Sequence, residues 1–192
     1  MIVASNNRGK INEIKQILND YDIYSLRDKN INCDVVEDGK TFYANALKKA
    51  VEIYRLTGEA AIADDSGLCI TALDDFPGVY THRYMGENAS DEIRNTALIN
   101  LANETMDRSA KVVCSIVYYD GENIISSEGV IYGKISKTRR GNNGFGFDEI
   151  FELSDGRCLA ELSSEEKNLI SARYLALIDL KEKLSQLVNK SK

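Results

Sequence analysis

The chain opens on an apolar run without alternation, Met1 to Ala4, followed by polar Ser5-Asn6-Asn7-Arg8-Gly9 and then by Ile11, Ile14 and Leu18 at helical spacing. A short continuous apolar run reads as a buried strand, so the opening unit is strand, loop and helix. The same order repeats. A second strand is expected near Cys33 to Val36, and Glu37-Asp38-Gly39 leads into a helix with Phe42, Ala46, Ala50 and Ile53 on its buried stripe and Gly58 at its end. Ala60-Ala61-Ile62-Ala63 also lacks alternation, which predicts a strand covered on both faces that ends on the acidic pair Asp64-Asp65. Leu68-Cys69-Ile70 resumes the apolar character. Beyond a loop through Phe76-Pro77-Gly78, Ser90 is placed to cap a helix whose first turn carries Asp91 and Glu92. Lys111 to Tyr132 reads as two long strands joined at Asp120-Gly121. A glycine-rich loop from Gly141 to Asp148 precedes a short strand at Ile150-Phe151, where Phe147 is expected to plug into the core. Ser163 with Glu166 is a capping-box signature for a last helix that turns Leu169, Ala176, Leu180, Leu184 and Leu187 to a core. Alternating strands and helices with a later hairpin predict an α/β fold, a mixed sheet with flanking helices.

A length of 192 residues suits one domain spanning 1–192, or two lobes, rather than two independent domains. A composition of 43% hydrophobic and 28% charged residues places the chain among ordinary globular proteins. The net charge of -6 disfavours a general nucleic-acid binder but leaves room for a small anionic ligand where positive charge is concentrated. Cys33, Cys69, Cys114 and Cys158 form no Cys-x-x-Cys pair and read as reduced thiols. The polar turn after residue 4 is too early for a signal peptide, and no apolar run is long enough for a bilayer, so the cytoplasm is the expected compartment and a membrane partner is not expected.

Adjacent carboxylates after a buried strand repel each other unless a cation offsets the repulsion, and oxygen ligands without histidine suit Mg²⁺ or Mn²⁺. Asp64 and Asp65 are therefore metal-ligand candidates, against the alternative of an exposed acidic turn finishing in Ser66-Gly67. Glu37, expected at a strand end, is a further candidate. Ser5, Asn6, Asn7, Arg8, Gly9 and Lys10 offer hydroxyl, amide, backbone N–H and ammonium donors at a helix N-terminus, which suits a phosphate chain. Gly39-Lys40-Thr41 is not a P-loop, because Asp34 stands where a glycine is needed, and Gly144-Phe145-Gly146 lacks the third glycine of a dinucleotide fingerprint at Glu149. Phe145, Gly146, Phe147 and Asp148 do offer aromatic faces and close backbone approach for a flat base. The basic stretch Lys134, Lys137, Arg139 and Arg140 is the best support for a non-catalytic nucleotide or RNA-binding module. The lone His82 has no nearby partner in sequence and suits a surface or packing role.

Taken together, Ser5-Asn6-Asn7-x-x-Lys10-x-x-Glu13, Ala63-Asp64-Asp65-Ser66-Gly67-Leu68, Pro77-Gly78-Val79-Tyr80, Gly144-Phe145-Gly146-Phe147-Asp148 and Glu166-Lys167-x-x-x-Ser171-x-Arg173 resemble the inosine/xanthosine triphosphate pyrophosphatase family. The resemblance implies a two-lobed α/β fold around a central nucleotide-binding cleft, a homodimer, and Mg²⁺-dependent hydrolysis of non-standard purine nucleoside triphosphates to monophosphate and pyrophosphate. It implies that Ser5 to Lys10 hold the triphosphate with Lys10 as main cation, that Asp65 accepts the proton, and that Glu37 shares the metal while Asp64 supports it. Ser66 would contact substrate, and Phe145 to Asp148, Lys167 and Arg173 would close over base and sugar. Three positions depart from the family: Ala172 stands where histidine is usual and touches the base reading, Ala44 where glutamate is common, and Glu149 where proline is common. A related reading is a Maf-type pyrophosphatase acting on pyrimidine nucleotides.

Overall fold

The computed structural model describes residues 1–86 and 88–190. The chain divides into two compact units, the first formed by Met1–Ser66, Cys114–Gly129 and the chain from Ala172 onward, the second by Gly67–Val113 and Val130–Ser171.

In the first unit, β1 (Ile2–Val3) leads into α1 (Arg8–Ile17), and a two-residue strand, β2 (Tyr24–Ser25), pairs parallel with β1. α2 (Phe42–Thr57) is capped by the Thr41 side chain on the Ala44 N–H, and Gly58 closes it in the left-handed conformation, the end that the sequence pattern predicts. It feeds β3 (Ala61–Ile70), which pairs parallel with β1 on the side away from β2. The hairpin strands β5 (Ser109–Tyr119) and β6 (Ile124–Ile135) continue the order β2-β1-β3-β5-β6. Ile2, Ala4, Ala61, Ala63 and Val117 of the sheet pack on Ala46, Ala50 and Ile53 of α2. Alanines on both sides of that contact let the helix lie close, and each fully buried Ile or Val side chain contributes about 1.5–3 kcal/mol.

The second unit adds β4 (Phe76–Pro77), antiparallel to the end of β3, and β7 (Phe151–Glu152), antiparallel to the end of β6. Ser90 caps α3 (Asp91–Asn103) through the Ile93 N–H, the acidic first turn following as expected. The sheet is thus mixed and the fold α/β with flanking helices, in agreement with the pattern reading.

Four local expectations are corrected. Residues 31–39 form no strand: they have no ladder partner, and Val36 is 71% exposed. Glu37 therefore lies in an extended loop, not at a strand end. β3 does not stop before the acidic pair but runs on through it, because the small Ser66-Gly67 continues the extended backbone and all ten residues of the strand are buried. The Ser163 capping box forms, yet it opens only α4 (Ser164–Lys167), and the chain breaks before α5 (Ala172–Lys190). Asn168 and Ser171, whose polar side chains compete with helical backbone bonds, fall in the break. Leu169 keeps the helical phase of Ala176 in the numbering but is 64% exposed, whereas Ala176, Leu180 and Leu184 are buried. Finally, Phe147 is only half-buried and does not plug the core.

The start of α5 lies against Gly129 on β6. A Cβ there would lie 2.0 Å from the Ala172 carbonyl oxygen and 2.7 Å from the Ala176 nitrogen, both backbone atoms that cannot step aside. Ser127, two residues earlier, donates its hydroxyl to the Ala176 carbonyl at 2.7 Å. Gly129→Ala is expected to destabilise the fold by about 1–3 kcal/mol through overpacking, read as a lower urea midpoint at unchanged m-value.

Candidate active site

Asp64 and Asp65 sit inside a strand covered on both faces, at 0% and 3% exposure, which rules out the exposed acidic turn. Buried carboxylates need partners, and those of the first unit come from three helices. Lys10 of α1 reaches Asp64 Oδ2 at 3.2 Å. Arg173, in the first turn of α5, donates to the same oxygen from Nε at 3.2 Å and from Nη2 at 2.9 Å, to Ser66 Oγ at 3.1 Å, and through Nη1 to Glu13 of α1. Lys49 of α2 donates to the Asp64 carbonyl at 2.7 Å and to the Glu37 carboxylate. Asp65 is held differently: its Oδ2 accepts from Asn45 Nδ2 at 2.8 Å and its Oδ1 from the Ser66 N–H at 2.9 Å.

These surroundings push the two carboxyls apart. Burial alone would raise Asp64, but the positive charges of Lys10, Arg173 and Lys49 outweigh it and hold the group well below the usual carboxylate range. Burial raises Asp65 above its ordinary value despite Lys49 and Lys10, and Glu37 adds to the rise. Burial works against the charge on Lys49, yet Asp64, Asp65 and Glu37 keep it firmly protonated. Beside Asp64 Oδ2, the Cys114 sulfur at 3.9 Å is pushed up to about 12 by burial, so that thiol is neutral and unreactive. Separating one firmly ionised carboxylate from one of raised pKa is how a site assigns an anchoring role to one and a proton-accepting role to the other.

Lys10, Lys49 and Arg173 face Glu13, Glu37, Asp64 and Asp65, so three cations meet four carboxylates and the cluster carries one net negative charge. A polyanionic ligand entering it needs further positive charge. Asp64 Oδ1 is fully buried and has no hydrogen-bond partner among the described residues. No group of three or more His, Cys, Asp or Glu side chains arranged to hold a metal ion occurs among the described residues. Mg²⁺ does not require one: it is commonly held by one or two carboxylates, with waters and phosphate oxygens completing its shell. Asp65 and Glu37 fit that demand, and Asp64 could add only its Oδ1, since its Oδ2 is taken up by Arg173 and Lys10.

The loop before α1 is organised around the helix N-terminus. Asn7 caps the helix with its side-chain oxygen on the Lys10 N–H at 3.2 Å, and Ser5 Oγ accepts from the Asn7 N–H at 3.2 Å. Asn6 donates to the Cys33 carbonyl, and Asn6, Asn7 and Arg8 are exposed beside half-buried Ser5 and Gly9.

In the second unit the glycine-rich loop is tied down. Asp148 Oδ2 accepts from the Phe145 N–H at 2.9 Å and from Lys167 at 2.5 Å, and the Lys167 ammonium lies 4.4 Å from the Phe145 ring centroid. Gly144 and Gly146 both have positive φ, and a Cβ on Gly144 would meet Asp148 Oδ2 at 2.1 Å. Asn95 and Asp91 of α3 bind the Gly146 carbonyl and N–H, each at 2.9 Å. Phe147 lies in the same turn, and Gly146 is packed near His82.

The basic stretch is largely neutralised within this unit: Lys134 pairs with Glu152, Arg139 with Glu92 and Glu149, and Arg140 with Glu152 and Glu161. That removes the main support for an RNA-binding module. Arg173, expected over the base, is committed instead to Glu13, Asp64 and Ser66, because α5 begins at Ala172 and puts Arg173 in a first turn rather than about two turns into the helix that Ser163 caps. Ala172 is buried at that helix start. Asn45 and Lys49 were not singled out by the sequence. The signal for them is positional: two polar residues four apart, in phase with the Ala46, Ala50 and Ile53 stripe of α2.

The Ham1 family model matches residues 1–183. This chain belongs to the Ham1 family. It is 44% identical over 196 residues to the dITP/XTP pyrophosphatase of Clostridium perfringens, covering 95% of this chain and 96% of that one. It is 43% identical over 190 residues to the dITP/XTP pyrophosphatase of Geobacter sulfurreducens, covering 96% of both. Among solved structures it is similar to the Staphylococcus aureus Ham1 protein, with a TM-score of 0.85 at 37% identity over 100% of this chain and 98% of that one. The Coxiella burnetii HAM1 protein gives 0.87 at 38% identity over 96% and 98%.

Proposed function

We propose that this Ham1 protein hydrolyses the non-standard purine nucleoside triphosphates ITP, dITP and XTP to monophosphate and pyrophosphate, clearing them from the nucleotide pool. The carrying observation is the buried Asp64-Asp65 pair, one carboxyl pinned by Lys10 and Arg173 and the other held by Asn45 and the Ser66 N–H. Asp65 orients a water toward the α-phosphorus and takes its proton; the α–β phosphoanhydride bond breaks and pyrophosphate leaves. Lys10, with the N–H groups and side chains of Ser5 to Gly9, binds the phosphate chain, and Lys49 adds positive charge beside Asp65. Asp64 anchors Lys10 and Arg173, and Ser66 faces the same group of side chains.

Asp65 and Glu37 would hold Mg²⁺, with Mn²⁺ as a substitute. The bound ion neutralises charge on phosphate oxygens, which the net negative cluster cannot do alone. In the second unit, Phe145 offers a stacking face, and Lys167 beside it is the donor that suits the 6-carbonyl of hypoxanthine or xanthine and disfavours the 6-amino group of adenine. No helix among the described residues is long and apolar enough to cross a membrane. The four cysteines are thiols, which supports a reducing, cytoplasmic setting, and the family resemblance supports a homodimer.

The test is a nucleotide panel. ITP and XTP are expected to release pyrophosphate with Mg²⁺, ATP little, and chelation of the metal to silence the reaction. Formation of IDP and orthophosphate would show that another bond is cut, and a preference for UTP or dTTP would select the pyrimidine reading.

A further inference from the structure

Asn45, in the first turn of α2, is fully buried, and its side chain is engaged at both ends. Its Oδ1 accepts from the Gly39 N–H at 2.7 Å, and its Nδ2 donates to Asp65 Oδ2 at 2.8 Å. The partners fix the orientation of the amide. A backbone N–H can only donate and a carboxylate can only accept, so a flipped amide would lose both bonds. The other Asp65 oxygen is bound by the adjacent Ser66 N–H, a local contact, so Asn45 supplies the hydrogen bond from outside the strand that sets how the carboxylate is turned.

We propose that Asn45 is a positioning residue for Asp65 and that the Gly39 N–H in turn positions Asn45, a two-link relay from the loop before α2 to the reacting carboxylate. The relay rests on the assignment of Asp65 as proton acceptor. A carboxylate that must aim a water at phosphorus is sensitive to its own direction, since a misplacement of about 1 Å can cost on the order of 10²-fold in rate. Asn45 suits this task because its backbone is held independently, its N–H bonding to the Thr41 carbonyl at 3.2 Å, so the helix does not depend on the side chain. Gly39 is required at its position for a separate reason. A Cβ there would lie 2.5 Å from Asn45 Oδ1 and 3.1 Å from the Ala44 Cβ, and the buried amide would have to turn to relieve the contact. Gly39 has no positive φ, so alanine there strains no backbone angle, although its Cβ would also lie 3.1 Å from the Asn45 backbone nitrogen.

Steady-state kinetics on ITP for Asn45→Ala, Gly39→Ala and the double variant, with Asp65→Ala as reference and thermal unfolding of each, test the relay. Each single substitution is expected to lower kcat roughly tenfold or more, with KM within about threefold of wild type. Gly39→Ala should cost much less once Asn45 is alanine, because the 2.5 Å contact with the amide oxygen is then gone and only the 3.1 Å contacts with the Ala44 Cβ and the residue-45 nitrogen remain. Equal losses from Gly39→Ala in the two backgrounds would overturn the relay. So would a loss that tracks the folded fraction alone, or single variants within twofold of wild-type kcat while Asp65→Ala is inactive. Wild-type turnover in Asp65→Ala would overturn the assignment of Asp65 and the relay with it, a result distinct from the others.

Discussion

Asp65→Asn is expected to lower kcat for ITP at saturating Mg²⁺ by about 10²–10⁴-fold, the usual contribution of a positioned general base, while nucleotide binding measured without metal stays within a few-fold of wild type. An amide fills the same volume but cannot accept the proton of the attacking water. Its effect on folding is the smaller one. Burial raises the Asp65 carboxyl above its ordinary value, so the ionised form is a cost to the folded state as pH rises, and the neutral amide removes that cost. Against this, Asn45 Nδ2 and the Ser66 N–H both donate to Asp65, and an amide has an oxygen for only one of them. Pyrophosphate release and equilibrium binding of ITP, measured on the same preparation, separate the two quantities. Turnover above a tenth of wild type would remove Asp65 from its role.

Much of the fold is legible because the periods are local. The α2 stripe, the Gly58 end, the Ser90 cap and the β5–β6 hairpin all follow from neighbours within a few residues. The depth of the acidic pair is not local. Ser66-Gly67 reads as a turn, and only the burial of β3 on both faces makes it strand interior. For the same reason Glu37 was tied to a strand that does not form, although it reaches Lys49 from a loop. Arg173 shows the limit most clearly: its spacing from Lys167 suggests one continuous helix, but the break at residues 168–171 re-aims it at Asp64, which lies more than a hundred positions earlier in the chain. The residue types of the site were readable, but the pairing between them was not, since each pair joins different secondary elements.

That pairing makes Arg173 the residue whose loss the fold should feel most. Arg173→Met keeps the length and apolar stem of the side chain but leaves Asp64 buried with Lys10 and Lys49 only, and takes one partner from Glu13. Breaking a buried ion pair by removing one member costs about 3–5 kcal/mol, because the remaining charge keeps its desolvation penalty. The sign with pH follows from linkage. Asp64 is depressed below its unfolded value, so its ionisation stabilises the fold above the ordinary carboxylate range, and that contribution is lost as pH falls toward the folded value. Without the guanidinium the depression shrinks, so the deficit of the variant should be full above the variant's own folded Asp64 value and narrow as pH falls from there toward the lower wild-type value, the unfolded aspartate being common to both. Urea unfolding of wild type and variant at a series of pH values measures this gap directly. A gap that is constant from neutral to acid pH would mean that Arg173 stabilises by packing and not by holding Asp64 ionised.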